Sequence, residues 1–83
     1  MFNMTCQACK DYVTSGGSLT DDQLLSIYAF FKQATIGDIN IMHPSDDDRR
    51  AWAKFYAWRT VRGMSKADAM TAYVRVARLY GIN

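Results

Sequence analysis

The stretch Tyr-Ala-Phe-Phe-Lys-Gln-Ala-Thr-Ile-Gly-Asp, residues 28–38, decides how this chain folds. Tyr28, Phe31 and Lys32 are spaced i, i+3 and i+4, which places them on one face of a helix. Gly37 can take the left-handed position that ends such a helix. The stretch therefore predicts a helix that stops just before this glycine and carries two aromatic rings and a cation on one side.

A second basic pair, Arg50 and Lys54, is spaced i, i+4 in a later segment. Aromatic faces stack on bases, and fixed cations hold phosphates. Together the two segments suggest a pocket for a phosphorylated nucleotide ligand. Taken alone, however, the same residues are better explained as core aromatics with a lysine extending to solvent beside them, and as a solvated pair of cations.

Start and stop signals divide the whole chain into four helices with short connections. The first helix is expected over residues 4–14, and the second from Thr20, which caps it with Gln23, to about Thr35. The third is expected from its caps, Asp46–Asp48, to Gly63. The fourth is expected from Ser65, which caps it with Asp68, to Gly81. Only the loop over residues 38–45 is long enough to cross a bundle, and Pro44 keeps it non-helical. The pattern predicts an all-α four-helix bundle.

Apolar residues recur at helical spacing and give each helix a core face. The expected core-facing residues are Met4, Ala8, Cys9, Tyr12 and Val13 in the first helix; Trp52, Phe55, Tyr56, Trp58 and Val61 in the third; and Ala69, Met70, Tyr73, Ala77 and Tyr80 in the fourth. A chain of 83 residues is expected to form one domain, residues 1–83. No run approaches the ~18 apolar residues of a membrane span, and the N-terminus lacks the features of a signal peptide. We therefore expect a soluble, cytoplasmic protein.

Charge is divided unevenly along the chain. Residues 1–48 contain two lysines and seven aspartates, whereas residues 49–83 contain eight lysines and arginines and one aspartate. A basic second half points to an anionic partner such as nucleic acid, a membrane surface or a phosphorylated small molecule. A solvated bundle surface whose charges compensate one another is the alternative.

Residues suited to catalysis or metal binding are scarce. The chain has one histidine, His43, and no glutamate, and it lacks the usual nucleophile and phosphate-loop motifs. Cys6 and Cys9 form a lone C-x-x-C, but zinc needs about four ligands and no second cysteine pair is present. The two cysteines are interpreted as free thiols on one side of a helix. A binding module, rather than an enzyme or a metalloprotein, is the expected class.

Three separate motifs resemble those of the acyl-CoA-binding protein family. Residues 28–38 are similar to the family hallmark Y-x-x-[YF]-K-Q-A-T-x-G-D, and Pro44 follows at the usual distance. Residues 53–58 resemble A-K-[WF]-x-A-W, and residues 63–74 resemble G-x-S-K-x-x-A-M-x-x-Y-[IV]. The similarity covers about residues 20–80 without gaps.

This resemblance implies an up-down-down-up four-helix bundle whose long connection lies between the second and third helices. The implied ligand-binding residues are Lys32 and Lys54 on the 3′-phosphate of coenzyme A, Tyr28 donating its hydroxyl to the same group, Phe31 stacked on adenine, Arg50 adding positive charge beside the phosphates, and Tyr73 lining the ribose and pantetheine. Residues implied to pack near the acyl chain are Leu24, Leu25 and Ile27.

The implied function is that of an intracellular carrier. It would bind one medium- to long-chain acyl-CoA ester per monomer, and sequester it for transport and pool formation. Acyl-CoA would be the ligand, with no cofactor, metal or nucleic acid. Contacts with membranes or acyl-CoA-using enzymes would be transient.

Some positions depart from the family pattern. Phe31 stands where many members have tyrosine, which keeps stacking but removes a hydroxyl. Val13 and Trp52 stand where many relatives have basic residues, and an exposed Trp52 would widen the apolar rim of the site. The first helix, residues 1–15, matches poorly.

Two alternatives to a carrier remain open at the level of sequence. One is a basic helical nucleic-acid-binding module using Arg49, Arg50, Arg59, Arg62, Arg75 and Arg78 on phosphates. The other is a helical interaction domain that keeps the fold but has lost the ligand. Retention of Tyr28, Lys32, Lys54 and Tyr73 argues against the second.

Overall fold

The computed structural model describes residues 2–45 and 47–82, including the side chains of all of these except residues 13 and 14. The helices are α1 (Phe2–Thr14), α2 (Asp21–Thr35), α3 (Arg49–Thr60) and α4 (Lys66–Leu79). No strand occurs among the described residues, so the predicted all-α four-helix fold is confirmed. Helix α1 begins earlier than the sequence predicts, at Phe2 rather than at residue 4.

Side-chain caps begin the two helices that carry the candidate site. The Thr20 hydroxyl accepts a bond from the Gln23 amide at 3.1 Å, and the Gln23 side chain accepts one from the Thr20 amide at 2.9 Å. This is the predicted capping box of α2. Asp48 caps α3 by accepting a bond from the Ala51 amide at 3.0 Å, whereas Asp46 lies outside the described residues. The caps fix where both helices start.

Helix α4 is capped at both ends. The Ser65 hydroxyl accepts a bond from the Asp68 amide at 3.0 Å, as predicted, although the described contacts include only this half of a capping box. At the other end Gly81 has φ +82°, and the Ile82 amide donates to the Ala77 carbonyl at 2.8 Å. This 6→1 bond is that of a Schellman motif, and it folds Ile82, only 2% exposed, back into the core.

Helix α2 lies at the centre of the bundle. It packs against α3 on one side and α4 on another, and α1 packs against α4. The longest connection, residues 36–48, joins α2 to α3, which is where the up-down-down-up order requires one. The connections from α1 to α2 and from α3 to α4 are shorter turns. Lys32 and Lys54 are thereby brought onto two helices that touch.

The second half of the 28–38 stretch fixes this arrangement. Gln33 is fully buried and donates to the Asp38 carboxylate at 2.9 Å, and that carboxylate also accepts a bond from the Gly63 amide at 2.7 Å. These bonds, that of Gly63 first, hold the pKa of Asp38 below its usual value. The Trp58 indole donates to the Gly37 carbonyl at 2.9 Å. The end of α2 is therefore tied to α3 and to the turn that follows α3.

The core face predicted for α1 is partly wrong. Met4 is 77% exposed, whereas Phe2 and Cys6, which were not predicted, pack inwards with Cys9, which was predicted and is buried; the three are spaced i, i+4 and i+7. This register turns Met4 away from α4. Ala8 and Tyr12 do contact the core as predicted, and the side chain of residue 13 lies outside the described part.

The faces predicted for α3 and α4 are also too wide. On α3 only Trp58 is buried, at 1% exposure, whereas Tyr56 is 51% exposed. On α4, Ala69, Tyr73 and Ala77 are buried as predicted. Met70 is 37% exposed. In the described chain α3 packs against α2 alone, so a single side of α3 has a neighbour to bury it.

Candidate functional site

Two lysines from different helices converge on one tyrosine. The Nζ atom of Lys32 lies 5.8 Å from the centre of the Tyr28 ring, and that of Lys54 lies 5.5 Å from the same centre. Lys32 also lies 5.8 Å from the centre of the Trp58 ring. Both distances to Tyr28 are within the ~6 Å of a cation–π contact. The structure thus brings Lys54 of α3 to Tyr28 and Lys32, which the sequence places on one face of α2.

Both lysines lack an acidic partner in the part of the chain that the structure describes. Within residues 2–45 and 47–82, no carboxylate pairs with Lys32 or Lys54. Burial raises the pKa of the Tyr28 hydroxyl, so this group stays protonated and can donate a hydrogen bond at neutral pH. Two ammonium groups and a phenol O–H then offer a ligand several hydrogen-bond donors, two of them charged, which is the chemistry that a phosphate requires.

A groove between α2 and α3 continues from Lys54. Its volume is about 590 Å³, within the usual range for a ligand pocket. It is lined by Asp21, Leu24, Leu25, Arg49, Arg50, Ala53 and Lys54. The predicted acyl-chain residues Leu24 and Leu25 and the predicted phosphate residues Arg50 and Lys54 therefore line one groove. Sequence reasoning missed Asp21, Arg49 and Ala53 as lining residues, although the i, i+3 and i+4 spacing of Asp21 from Leu24 and Leu25 could have indicated the first of them.

Phe31 lies in an aromatic cluster beside this site. Its ring centre is 6.2 Å from that of Tyr73 and 6.4 Å from that of Phe2, and the Phe2 and Tyr73 rings meet edge to face at 5.1 Å. Phe31 is 37% exposed, which leaves ring surface for a base to stack on. Tyr73 is 3% exposed and lies beneath this cluster. The structure thus brings Tyr73 to Phe31, but as a buried support rather than as an open surface.

The hydroxyl of Tyr73 faces the two cysteines of α1. Burial, and then the neighbouring thiols of Cys9 and Cys6, raise the pKa of this hydroxyl. Burial also raises the pKa of the Cys6 thiol, against the opposing effect of Tyr73. Both cysteines are free thiols, as predicted, and their position is structural because Cys9 belongs to the buried cluster of α1 and α4. A thiol whose pKa is raised is a poor nucleophile.

The remaining predicted residues lie away from the groove. Ile27 packs with Phe30 against the buried cluster around Tyr73 rather than lining the groove with its neighbour Leu25. The Trp52 ring stacks on those of His43 and Tyr56, on the side of α3 opposite to Lys54. It therefore does not form the rim of the groove. The sequence did not single out Phe2, although its ring completes the aromatic cluster with Phe31 and Tyr73.

Other functional classes find little support in the described chain. Its residues form no group of His, Cys, Asp or Glu suited to a metal ion. None of the helices, over the residues described, is long and apolar enough to cross a membrane. Arg59 is in the last turn of α3 and Arg62 in the turn that follows it, whereas Arg75 is on α4, and α3 and α4 lie on different sides of α2. The arginines that a nucleic-acid module would need are thus divided between separate surfaces.

The fold and the site define a small helical protein of the ligand-binding kind, in which two lysines meet on a tyrosine beside a groove. The family model described as Acyl CoA binding protein matches residues 2–77. The chain therefore belongs to the acyl-CoA-binding protein family, as its motifs predicted. The match includes the first helix, which the motif comparison alone did not cover.

Individual relatives agree with this assignment. The chain is 45% identical over 73 residues to diazepam-binding inhibitor-like 5 of Mus musculus and, equally, of Rattus norvegicus, covering 88% of this chain and 80% of each relative. The crystal structure of ACBP from Moniliophthora perniciosa superposes with a TM-score of 0.79 at 34% identity, over 96% of this chain and 80% of that one. Acyl-CoA-binding protein 2 of Oryza sativa has the same fold, with a TM-score of 0.81 at 23% identity over 96% and 90% of the two chains.

Proposed function

We propose that this protein is a non-catalytic carrier that binds medium- to long-chain acyl-CoA esters, one per monomer. The observation that carries the proposal is the convergence of Lys32 and Lys54 on Tyr28 at the end of the groove lined by Leu24 and Leu25. A cationic pocket next to an apolar groove matches a ligand with a phosphorylated head and an alkyl tail. Family membership supports the same ligand.

Each part of the ligand has a proposed place. The two ammonium groups and the Tyr28 hydroxyl hold the 3′-phosphate through charge-assisted hydrogen bonds. Phe31, more than a third exposed, stacks on adenine, and stacking contributes ~1–3 kcal/mol per base. Arg50, at the groove, adds positive charge beside the phosphates. Because Phe31 and Phe2 cover Tyr73, the ligand would have to displace these rings to reach Tyr73 directly. We therefore propose that the main role of Tyr73 is to support Phe31.

The groove gives the protein its preference for esters over coenzyme A. Each methylene group removed from water contributes ~0.8 kcal/mol, or about a fourfold gain in affinity. Leu24 is 43% exposed without ligand and has apolar surface to cover. Binding that depends on the tail keeps the thioester away from water and from other hydrophobic surfaces. This is how the protein would sequester, transport and store its cytoplasmic cargo without a catalytic group.

A titration series tests the proposal. Octanoyl-, lauroyl- and palmitoyl-CoA are titrated separately into the protein, below the micelle concentration of each, and hydrolysis of the palmitoyl thioester by a thioesterase is followed with and without the protein. We expect a stoichiometry of one, affinity that rises with chain length, and slower hydrolysis of the bound ester. Equal affinity for all three esters would contradict a role for the Leu24–Leu25 groove.

A further inference from the structure

A cleft on the outer side of α4 is separate from the groove between α2 and α3. Its volume is about 830 Å³, compared with about 590 Å³ for the groove, and both values are typical of ligand pockets. The cleft is lined by α4, over residues 67–79, and by Phe2 at the start of α1. None of its lining residues belongs to the groove, so each cavity can hold a ligand of its own. We name it the α4 cleft.

Two rows of α4 side chains form the walls of the α4 cleft. One row is Met70, Val74 and Arg78, and the other contains Thr71, Arg75 and Leu79, each with a spacing of four residues. Side chains four residues apart form the ridges of a helix, and a groove runs between neighbouring ridges. Because a helix rises ~1.5 Å per residue, the lining residues 67–79 extend about 18 Å along α4. Such an elongated cleft suits a straight alkyl chain better than a compact ligand.

Much of the surface of the α4 cleft is apolar. Met70 is 37% exposed and Leu79 is 75% exposed, so both have apolar surface that a ligand can cover. Among the described lining residues, Phe2 is the sole aromatic ring. This ring already stacks on Phe31 at 6.4 Å and meets Tyr73 edge to face at 5.1 Å. The cleft therefore favours an alkyl ligand over a nucleotide, which would need an open ring to stack on.

Arg75 gives the α4 cleft an exposed positive charge. Within residues 2–45 and 47–82, no carboxylate pairs with Arg75. Arg78, three residues on, adds positive charge but is already engaged in an interaction of its own. No acid is among the described residues that line the cleft, whereas Asp21 lines the groove and Asp11 lines the cavity beside α1. Uncompensated positive charge beside apolar surface favours an anion that carries an apolar tail.

We propose that the α4 cleft binds a long-chain fatty acid as its carboxylate, at a site separate from that of the acyl-CoA ester. The planar guanidinium of Arg75 matches a carboxylate with two parallel hydrogen bonds, and the alkyl chain lies between the two rows, over Met70. One guanidinium in an open cleft holds a ligand less tightly than two lysines, a hydroxyl and a stacked ring, so the free acid binds far more weakly than the thioester. The protein would hold a free acid and an ester at once, which goes beyond the proposed carrier function.

Equilibrium dialysis with laurate and with dodecyltrimethylammonium tests the proposal, since these probes have alkyl chains of nearly the same length and opposite charges. Both are used below their micelle concentrations, with and without palmitoyl-CoA. Arg75→Ala alters the cleft, and Arg59→Ala is the matched control, because Arg59 is an exposed arginine in the last turn of α3. We expect one laurate per protein, bound about tenfold more weakly by Arg75→Ala and within about twofold of the wild type by Arg59→Ala.

Three further readings complete the test. Dodecyltrimethylammonium should bind the wild type at least about tenfold more weakly than laurate. Met70→Asp, which adds a carboxylate to the cleft, should weaken laurate binding and leave palmitoyl-CoA binding unchanged. Saturating palmitoyl-CoA should leave laurate binding unchanged, because the ester occupies the groove.

Several results would overturn the proposal. Absence of laurate binding, equal affinity for the two probes, or equal losses in Arg75→Ala and Arg59→Ala would show that the cleft does not recognise a carboxylate. Displacement of laurate by palmitoyl-CoA would place the acid in the groove instead. Failure of the wild type to bind palmitoyl-CoA concerns the proposed function alone, because laurate binding is measured without the ester as well.

Discussion

Replacing Lys32 with alanine removes one of the two cations at the proposed phosphate site. Its Nζ atom is 5.8 Å from the Tyr28 ring centre, and Lys54 approaches the same ring at 5.5 Å. Because no carboxylate of the described chain pairs with either lysine, the lost cation leaves no acid unpaired. A hydrogen bond to a charged group is worth ~1.5–3 kcal/mol. We therefore expect Kd for palmitoyl-CoA to rise by roughly 10- to 150-fold.

Titration calorimetry with both palmitoyl-CoA and coenzyme A measures this loss. The phosphate belongs to the nucleotide, so Lys32→Ala should cost the same free energy with either ligand. Arg75→Ala is the control, since it removes one positive charge from α4, which carries neither of the two lysines nor any residue of the groove. Thermal unfolding of each variant shows that the fold is intact. An unchanged Kd for Lys32→Ala, or an equal loss in Arg75→Ala, would refute the assignment of Lys32 to the phosphate.

Three further predictions concern the ring, the carboxylate and the indole that frame the site. Phe31→Ala should weaken acyl-CoA binding by ~1–3 kcal/mol through lost stacking, while Phe31→Tyr should bind at least as well as the wild type. Calorimetry checks both variants, and equal affinities for all three proteins would remove this ring from the adenine site. Because hydrogen bonds hold the folded pKa of Asp38 below its unfolded value of ~3.9, its charge stabilises the fold above that pH, and this contribution is lost as pH falls through the folded pKa. In urea unfolding, the difference in free energy of unfolding between wild type and Asp38→Asn should accordingly be constant near neutrality and disappear in acid. A difference that does not depend on pH would contradict this. Trp58→Phe leaves the Gly37 carbonyl without its donor and should lower the free energy of unfolding by ~1–3 kcal/mol in urea melts, whereas an unchanged midpoint would show that water replaces the indole.

Local signals in the sequence were enough to predict α2, α3 and α4. The Thr20 capping box, the Asp48 and Ser65 caps and the positive φ of Gly37 all act within a few residues, so their effect can be read without tertiary information. The meeting of Lys32 with Lys54 is different. It depends on how α2 packs against α3; the residue pattern suggested a common pocket for the two segments, and only the resemblance to a family implied that the two lysines share one phosphate.

Burial on each helix could not be read from periodicity alone. Met4 and Tyr56 fit the apolar pattern of their helices but face solvent, because neither side of the bundle offers them a neighbouring helix. Tyr73 shows the converse effect. The spacing of Tyr73 places it correctly on the core face of α4. Its burial, however, depends on Phe2 as well as on Phe31, and Phe2 contacts Tyr73 only because of where α1 begins and how α1 packs.

The most direct test of the carrier function is calorimetric titration of the wild-type protein with palmitoyl-CoA, coenzyme A and free palmitate, each below its micelle concentration. The site combines a pocket for the phosphorylated head with a groove for the tail, so we expect tight one-to-one binding of the thioester and much weaker binding of either half alone. Absence of binding heat with palmitoyl-CoA at more than one temperature, or affinity for palmitate equal to that for the thioester, would contradict the proposed function.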